Sequence, residues 1–156
     1  MTATQRIAAI TLDERSVLRR SPEIEQERAA AISDLLHDNS FAPASGAAGP
    51  FDLRLAVEEN RLQIDITAAD GGSEAIQVSL SPFRRIVKDY FVVCESYYDS
   101  VRRHNLSQVE AIDAGRRALH DEGSALLIEQ LAGKAAIDHN PGRRLFTLIC
   151  VLHLRA

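Results

Sequence analysis

The chain has 156 residues, of which 46% are hydrophobic and 26% are charged, and its formal net charge is −4 at pH 7. This length and composition predict one globular domain over residues 1–156 and argue against disordered or fibrous proteins. The acidic balance, without a basic tail, argues against nucleic-acid binding. No apolar run reaches the roughly 18 residues of a membrane-spanning helix, so we expect no membrane partner.

The two cysteines, Cys94 and Cys150, both lie in apolar runs. Buried free thiols suit a reducing compartment, and the first ten residues have no signal-peptide pattern. The five histidines show no spacing typical of metal ligands. The sequence therefore predicts a cytoplasmic protein with inert core thiols, no metal site and no cofactor.

Alternation and β-branched residues predict strands in the first half of the chain. Residues 6–12 form a short strand, and a polar connection follows over residues 13–20. Residues 51–57 and 61–67 alternate apolar and polar side chains, and a turn at Asp70-Gly71-Gly72 leads to a third strand over residues 75–80. These three strands predict an antiparallel meander, which the strand at residues 6–12 can extend.

A helix separates the first strand from the meander. Ser21-Pro22-Glu23 supplies an N-cap, a proline at the first helical position and an acid in the first turn, and we expect the helix to end near His37, closed by Asn39. Its expected inward side chains are Ile24, Arg28, Ala31, Ile32 and Leu35. Residues 39–50 contain proline, glycine and other small residues, which predicts a mobile loop.

After Ser81-Pro82 the apolar period changes to that of a helix, which we expect to end near His104. The next helix begins at Ser107, with Glu110 completing a capping-box pattern, and Gly123 predicts a bend or break in it. The residues expected on its apolar face are Val109, Ile112, Leu119, Leu126 and Leu131.

Residues 143–154 are apolar at almost every position, so the period cannot distinguish a helix from a buried strand. The proline of Asn140-Pro141 favours a helix. The elements together predict an α+β fold, in which a small antiparallel sheet of three or four strands packs against several helices in two layers. A C-terminal segment that is apolar on all sides also predicts a homo-oligomer, most simply a two-fold dimer.

Arg84 and Arg85 fall in the first turn of the predicted helix after Ser81-Pro82. The helix dipole disfavours cations there by roughly 0.3 to 1 kcal/mol. An i,i+4 pair between Arg85 and Asp89 offsets part of this cost. The alternative is a bound anion, since free amides and two guanidinium groups suit a phosphate or a carboxylate.

Arg116 lies among apolar positions of the following helix, with Asp113 three residues before it and His120 four after it. These side chains make a polar patch on one face, which extends the candidate anion site to Arg84, Arg85, Arg116 and His120. A general base built from His120 and oriented by Asp113 is conceivable, but seven residues, about 10.5 Å along a helix, is too far for a direct pair. No catalytic residue can be assigned.

Two functions remain open. The leading hypothesis is a non-enzymatic binding or regulatory module, because no catalytic constellation is visible in the sequence. The alternative is a small enzyme or ligand-binding domain for a phosphorylated or carboxylated small molecule, and a pocket containing all four candidate side chains would favour it.

Three segments, PFRRIVKDYFVVCESYY, EAIDAGRRALHDEGSALL and GRRLFTLICVLH, resemble the uncharacterised protein family numbered 0262 of alphaproteobacteria. The resemblance covers nearly the whole chain and is looser in the strands. It implies a cytoplasmic bacterial protein of no assigned activity, and it carries over no functional residues.

Overall fold

The structure is a computed structural model that describes residues 4–13 and 22–153. In chain order its elements are β1 (Ile7–Leu12), α1 (Pro22–His37), β2 (Phe41–Pro43), β3 (Phe51–Glu58), β4 (Arg61–Thr67), β5 (Ser73–Ser79), a 3₁₀ turn (Ser81–Phe83), α2 (Arg84–Arg102), α3 (Leu106–Leu131), β6 (Ala135–Ile137) and α4 (His139–His153). The predicted α+β class is confirmed.

The main sheet has the strand order β1-β3-β4-β5, and the predicted meander of β3, β4 and β5 is antiparallel. Glu59 and Asn60, both with positive φ, form the two-residue turn between β3 and β4. β1 pairs with β3 in parallel, so the sheet is mixed rather than purely antiparallel. The reason is the helix between them, because parallel neighbours need a long crossover connection.

One face of the main sheet is apolar and the other is polar. The buried face presents side chains such as Leu55, Ile64 and Val78, which join side chains of the helices in one continuous core cluster. The opposite face carries Arg54 and Gln77 towards solvent. The alternation in the sequence therefore orients the sheet with its apolar face on the core, as predicted.

α1 spans the predicted residues, although the proposed N-cap Ser21 and most of the connection before it lie outside the described residues. Asn39 closes the helix as expected, donating from Nδ2 to the Leu35 carbonyl at 2.8 Å. The same amide side chain donates to the carbonyl of Ile7 at 3.0 Å and accepts from its amide at 2.7 Å. Asn39 therefore fixes the end of α1 to the start of β1.

The structure departs from three predictions about local structure. The expected loop over residues 39–50 contains the strand β2, which pairs with β6 in a two-stranded sheet. α3 is capped by Asn105, whose side chain accepts from the Gln108 amide at 3.2 Å, and not by Ser107. Gly123 does not break α3, which is one helix of 26 residues.

α4 confirms the helical alternative for the described part of residues 143–154, although Leu154 lies outside the described residues. Every side chain from Leu145 to Leu152 is at most 4% exposed. α1 and α3 pack along this helix within a single chain. The apolar C-terminal segment therefore needs no second subunit to bury it. The homo-oligomer stays a prediction, but the apolar character of this segment no longer supports it.

Candidate functional site

The helix start at Arg84 and Arg85 is where the sequence predicts an anion site. The 3₁₀ turn uses its amides, since Phe83 donates to the Leu80 carbonyl at 2.9 Å and Arg84 to that of Ser81. Arg84 is exposed. Arg85 donates to Asp89 at 2.9 Å and to Glu122 of α3. Both carboxylates raise the pKa of Arg85, and Glu122 has the larger effect. An anion site here stays a prediction. The amides of Phe83 and Arg84 already donate to backbone carbonyls, and the Arg85 guanidinium already donates to two carboxylates.

Arg116 lies in a different environment, with its side chain 19% exposed between three helices. Nη1 donates to Glu27 of α1 at 3.1 Å and Nη2 to Asp113 at 3.0 Å. The guanidinium carbon stacks over the Tyr97 ring, 4.3 Å from its centroid. Burial alone lowers the pKa of Arg116, but the Glu27 and Asp113 carboxylates outweigh it and raise the pKa overall.

Glu27 is the centre of this arrangement. Its Oε1 accepts from the Tyr90 hydroxyl at 2.6 Å, and its Oε2 accepts from the Tyr98 hydroxyl at 2.6 Å as well as from Arg116. Burial, reinforced by the negative charge of Glu27, raises the pKa values of both tyrosines, so they remain hydroxyl donors at neutral pH. We call Glu27, Tyr90, Tyr98, Asp113 and Arg116 the Glu27 cluster.

His120 lies one turn further along α3, buried against two aromatic rings. Its ring centroid is 5.2 Å from that of Tyr90 and 6.3 Å from that of Phe146. The Thr147 hydroxyl lies 3.2 Å from the Arg143 carbonyl and 3.3 Å from His120 Nε2. Because that hydroxyl has one hydrogen, which the carbonyl accepts, we assign the proton of the imidazole to Nε2.

Burial, followed by the positive charges of Arg143 and Arg116, lowers the pKa of His120 to about 4. The imidazole is therefore neutral at pH 7. Asp113 directs its carboxylate to Arg116 and, at 3.5 Å, to Arg117. The orienting pair of Asp113 with His120 that general-base catalysis requires is not formed.

The structure brings two of the four predicted site residues together. Arg116 contacts Glu27, Tyr90 donates to Glu27, and His120 packs on Tyr90, whereas Arg85 is paired with Asp89 and Glu122. Sequence reasoning missed Glu27, although its spacing of four and eight residues from the buried Ala31 and Leu35 places it on the inward face of α1.

A groove with a volume of about 290 Å³ lies on the outer side of α2 and α3. Its walls include Val92, Val93 and Ser96 from α2, and Ile112 and Gly115 from α3. Among the described residues, the exposed large hydrophobic side chains are Val92 (59%), Val101 (43%) and Leu106 (76%), and all three belong to the hairpin of α2 and α3. We call this concavity the α2–α3 groove.

The remaining candidate sites have fewer features that suggest a ligand. A polar hollow of about 240 Å³ lies where Asp34 and His37 of α1 face Arg144 of α4. Over residues 4–13 and 22–153, acidic, histidine and cysteine side chains do not gather in threes as a metal centre requires. Within the same residues, the helices are too short or too polar to cross a membrane.

Fold and site together define an α+β protein with a mixed sheet, an internally paired polar cluster and an open groove between two helices. The model of the uncharacterised protein family UPF0262 matches residues 4–155. The chain belongs to this family, as its three helical segments predicted.

The relatives include UPF0262 proteins of alphaproteobacteria. The UPF0262 protein of Rhodopseudomonas palustris (strain BisB18) is 54% identical to this chain, and the match covers 94% of this chain and 91% of the relative's length. BRADO6636 of Bradyrhizobium sp. (strain ORS 278) is 55% identical over 96% and 90%, and Rru_A2770 of Rhodospirillum rubrum is 54% identical over 97% and 94%. No solved structure matches the chain.

Proposed function

We propose that this protein is a non-enzymatic, cytoplasmic binding module whose α2–α3 groove accepts the apolar face of a helix. The observation that carries the proposal is an open groove whose α2 wall includes the exposed Val92 and whose α3 wall includes Ile112 and Gly115. Exposed apolar side chains that border a concavity are typical of interaction sites, and helix-in-groove docking uses apolar anchors spaced three and four residues apart.

The non-enzymatic part of the proposal rests on the Glu27 cluster. Each oxygen of Glu27 already accepts a hydrogen bond from a tyrosine, and Arg116 is held by two carboxylates. His120 is neutral and shielded by rings. These groups are occupied in holding helices together, which supports a structural role.

The cytoplasmic part rests on the cysteines. Cys94 and Cys150 are free thiols, and both are buried. Thiols that stay unpaired suit a reducing compartment.

Selection from a displayed library of amphipathic helical peptides tests the proposal. The wild-type protein should enrich peptides with apolar residues at helical spacing, and Gly115→Phe, which fills the groove, should weaken their binding at least tenfold. Ala30→Phe adds the same ring to an exposed position of α1 and should leave binding unchanged. Failure to enrich such peptides, or equal binding to wild type and Gly115→Phe, would refute the proposed function.

A second candidate function is the binding of a carboxylated or phosphorylated small molecule. What favours it is that Arg116 and two tyrosine hydroxyls already hold a carboxylate, that of Glu27. A ligand carboxylate would take the place of Glu27 if the start of α1 moved aside. Acetate at constant ionic strength should then raise the melting temperature of Glu27→Ala more than chloride does. Equal effects of the two anions would remove this candidate.

A further inference from the structure

β5 forms one edge of the main sheet, and its outward side is open. At the two ends of its ladder with β4, the Leu80 amide donates to the Asn60 carbonyl at 3.0 Å and the Ala68 amide to the Gly72 carbonyl at 2.8 Å. Hydrogen-bonded pairs alternate along an antiparallel ladder, so the even-numbered residues of β5 face β4. The residues whose amides and carbonyls point away from the sheet are Ser73, Ala75, Gln77 and Ser79.

These outward backbone groups have no hydrogen-bond partner among the described residues. The opposite edge of the sheet differs, because the start of β1 is closed. The Asn39 side chain bonds both the amide and the carbonyl of Ile7, and the Phe41 amide donates to the Gln5 carbonyl at 2.9 Å. An unpaired backbone edge is a template for a further strand. The fold therefore covers the start of one edge and leaves the other available.

β5 also lacks the features that usually keep strand edges apart. Lysine, proline and β-bulges are the common protections, whereas β5 reads SEAIQVS and keeps a regular register with β4 throughout. The side chains of its four outward residues are exposed and uncharged. Its single charged side chain, Glu74, accepts a hydrogen bond from the Ser45 hydroxyl. Nothing in β5 opposes pairing with another strand.

A second copy of β5 satisfies this edge along its whole length. In the antiparallel register centred on Ile76, Ser73 lies opposite Ser79 of the other copy, and Ala75 lies opposite Gln77. All four outward residues then fall in hydrogen-bonded pairs, each of which exchanges two hydrogen bonds. The length and the hydrogen-bonding phase of the strand therefore match those of its own copy.

The side chains are compatible with the same register. Glu74 lies opposite Val78 of the other copy, so like charges do not face each other. A two-fold axis through Ile76, perpendicular to the sheet, also places the apolar faces and the helices of both copies on one side. A foreign peptide would have to bring an unpaired strand of its own, whereas every copy of this chain already carries one.

We infer that β5 pairs antiparallel with β5 of a second copy of this chain, which joins the two main sheets into one continuous sheet across a two-fold axis at Ile76. α4 takes no part, since it is buried within each chain. The inference goes beyond the proposed function, because β5 shares no residue with the α2–α3 groove.

Sedimentation equilibrium from low to high micromolar concentration tests the inference. Wild type should approach twice 17.2 kDa. Ala75→Pro removes one outward amide and spares the ladder with β4, since a sheet tolerates proline where the N–H faces away from it. It should raise the dissociation constant about thirtyfold or more, because the two-fold axis makes each substitution remove two hydrogen bonds.

Gln77→Lys and Gln63→Lys form a matched pair of variants, since Gln63 lies opposite Gln77 in the register of β4 with β5. Gln77→Lys places two lysines close to the two-fold axis and should weaken association about tenfold. Gln63→Lys adds the same charge one strand further from the edge and should leave association unchanged.

Amide hydrogen exchange of the wild-type protein identifies the interface without any substitution. The amides of Ala75 and Gln77 should exchange at least about tenfold more slowly at high than at low micromolar concentration. Those of Ile76 and Val78, which face β4, should be protected at both concentrations. Protection that depends on concentration at every second residue is specific to strand pairing.

A wild-type mass of 17.2 kDa at every concentration would overturn the inference. A dimer whose Ala75 and Gln77 amides exchange as fast as those of the monomer would overturn it too, because another surface would then hold the copies together. The same holds if folded Ala75→Pro associates as tightly as wild type. None of these results touches the proposed function, which the peptide selection decides independently.

Discussion

At the scale of single residues, Glu27 joins three helices through one carboxylate. It receives hydrogen bonds from Tyr90 and Tyr98 of α2 and from Arg116 of α3, while its own backbone lies in α1. The Glu27 side chain is 12% exposed, so these three donors take the place of most of its contact with water. Removing it leaves a largely buried guanidinium with Asp113 as its remaining carboxylate.

We therefore predict that Glu27→Ala destabilises the protein by about 3 kcal/mol, the range found when one partner of a buried pair is removed. Glu23→Ala is the control. Glu23 lies in the same helix and faces Arg102 at 3.8 Å, but both side chains are well exposed, so its loss should cost less than about 1 kcal/mol. Urea unfolding of both variants gives the comparison, and equal losses would show that Glu27 has no special role in stability.

His120 gives a second residue-scale prediction, on pH. Its folded pKa of about 4 lies below the ordinary value of 6.5, so only the unfolded chain takes up its proton between these values. The contribution of the neutral His120 to the free energy of unfolding is therefore fully present above pH 6.5, and it is lost as the pH falls towards 4. Between about pH 7 and pH 5 the loss should be about 2 kcal/mol.

The variant His120→Gln keeps a side-chain amide donor and removes the titration. Its free energy of unfolding, measured in urea at both pH values, should fall less than that of wild type by about the same 2 kcal/mol. Identical pH slopes for the two proteins would mean that His120 titrates normally in the folded state.

Sequence patterns located part of the site at this scale. Arg116 and His120 were predicted as members of a polar patch at helical spacing, and both side chains do contact residues of other helices. Their partners were not predicted, since Glu27 is 89 residues away from Arg116 in the chain. Only the packing of α1 across α2 and α3 brings them together, and no local pattern encodes that packing.

At the scale of elements, α3 and α4 approach each other closely at Gly123. The Phe146 ring, fully buried, occupies the space where any larger residue at position 123 would place its Cβ. Alanine is the better helix former, so propensity alone would favour Gly123→Ala by roughly 1 kcal/mol. Steric conflict with a packed aromatic ring should outweigh that gain.

We predict that Gly123→Ala destabilises the protein by roughly 2 kcal/mol, whereas Gly115→Ala in the same helix stabilises it. Adding Phe146→Leu to Gly123→Ala should recover part of the loss, as a coupling of about 1 kcal/mol in a double-mutant cycle. Thermal and urea unfolding provide the measurements. A stabilising effect of Gly123→Ala would show that the two helices can move apart without cost.

Elements with a strong local signal were predicted well, and those without one were not. The alternation in β3 and β4 located both strands to within one residue. β2 and β6 have three residues each and become strands only by pairing with each other. Neither segment therefore has a local pattern that predicts a strand. In α3 the apolar positions suggested Leu119 and Leu126, but the fully buried line runs through His120, Ser124 and Leu127 because α4 packs on that side.

At the scale of the whole molecule, the two cysteines report on global unfolding. Cys94 is 3% exposed and Cys150 is fully buried. Burial raises the pKa of Cys94 to about 11 and that of Cys150 well above its ordinary value, so little reactive thiolate exists in the folded state.

We predict that a thiol reagent labels neither cysteine in native buffer and labels both at once in denaturant. At intermediate denaturant the two labelling rates should converge, because both thiols lie in the same core cluster and need the same global opening. Labelling resolved by mass spectrometry on single-cysteine variants makes the comparison. Rapid labelling of Cys94 in native buffer would show that α2 opens locally.

The position of α4 in the chain constrains when this protein can fold. α1 and α3 both pack against α4, so the helical layer joins α1 to residues that are synthesised about a hundred residues after it. The β3–β4–β5 meander needs only neighbouring residues and can form early, whereas contacts distant in sequence form late. On the ribosome, we expect the β3–β4–β5 meander to form before α4 has been synthesised. The apolar face of the meander then stays uncovered until Phe146 and its neighbours emerge. Chaperone binding during this interval would protect the nascent chain from aggregation.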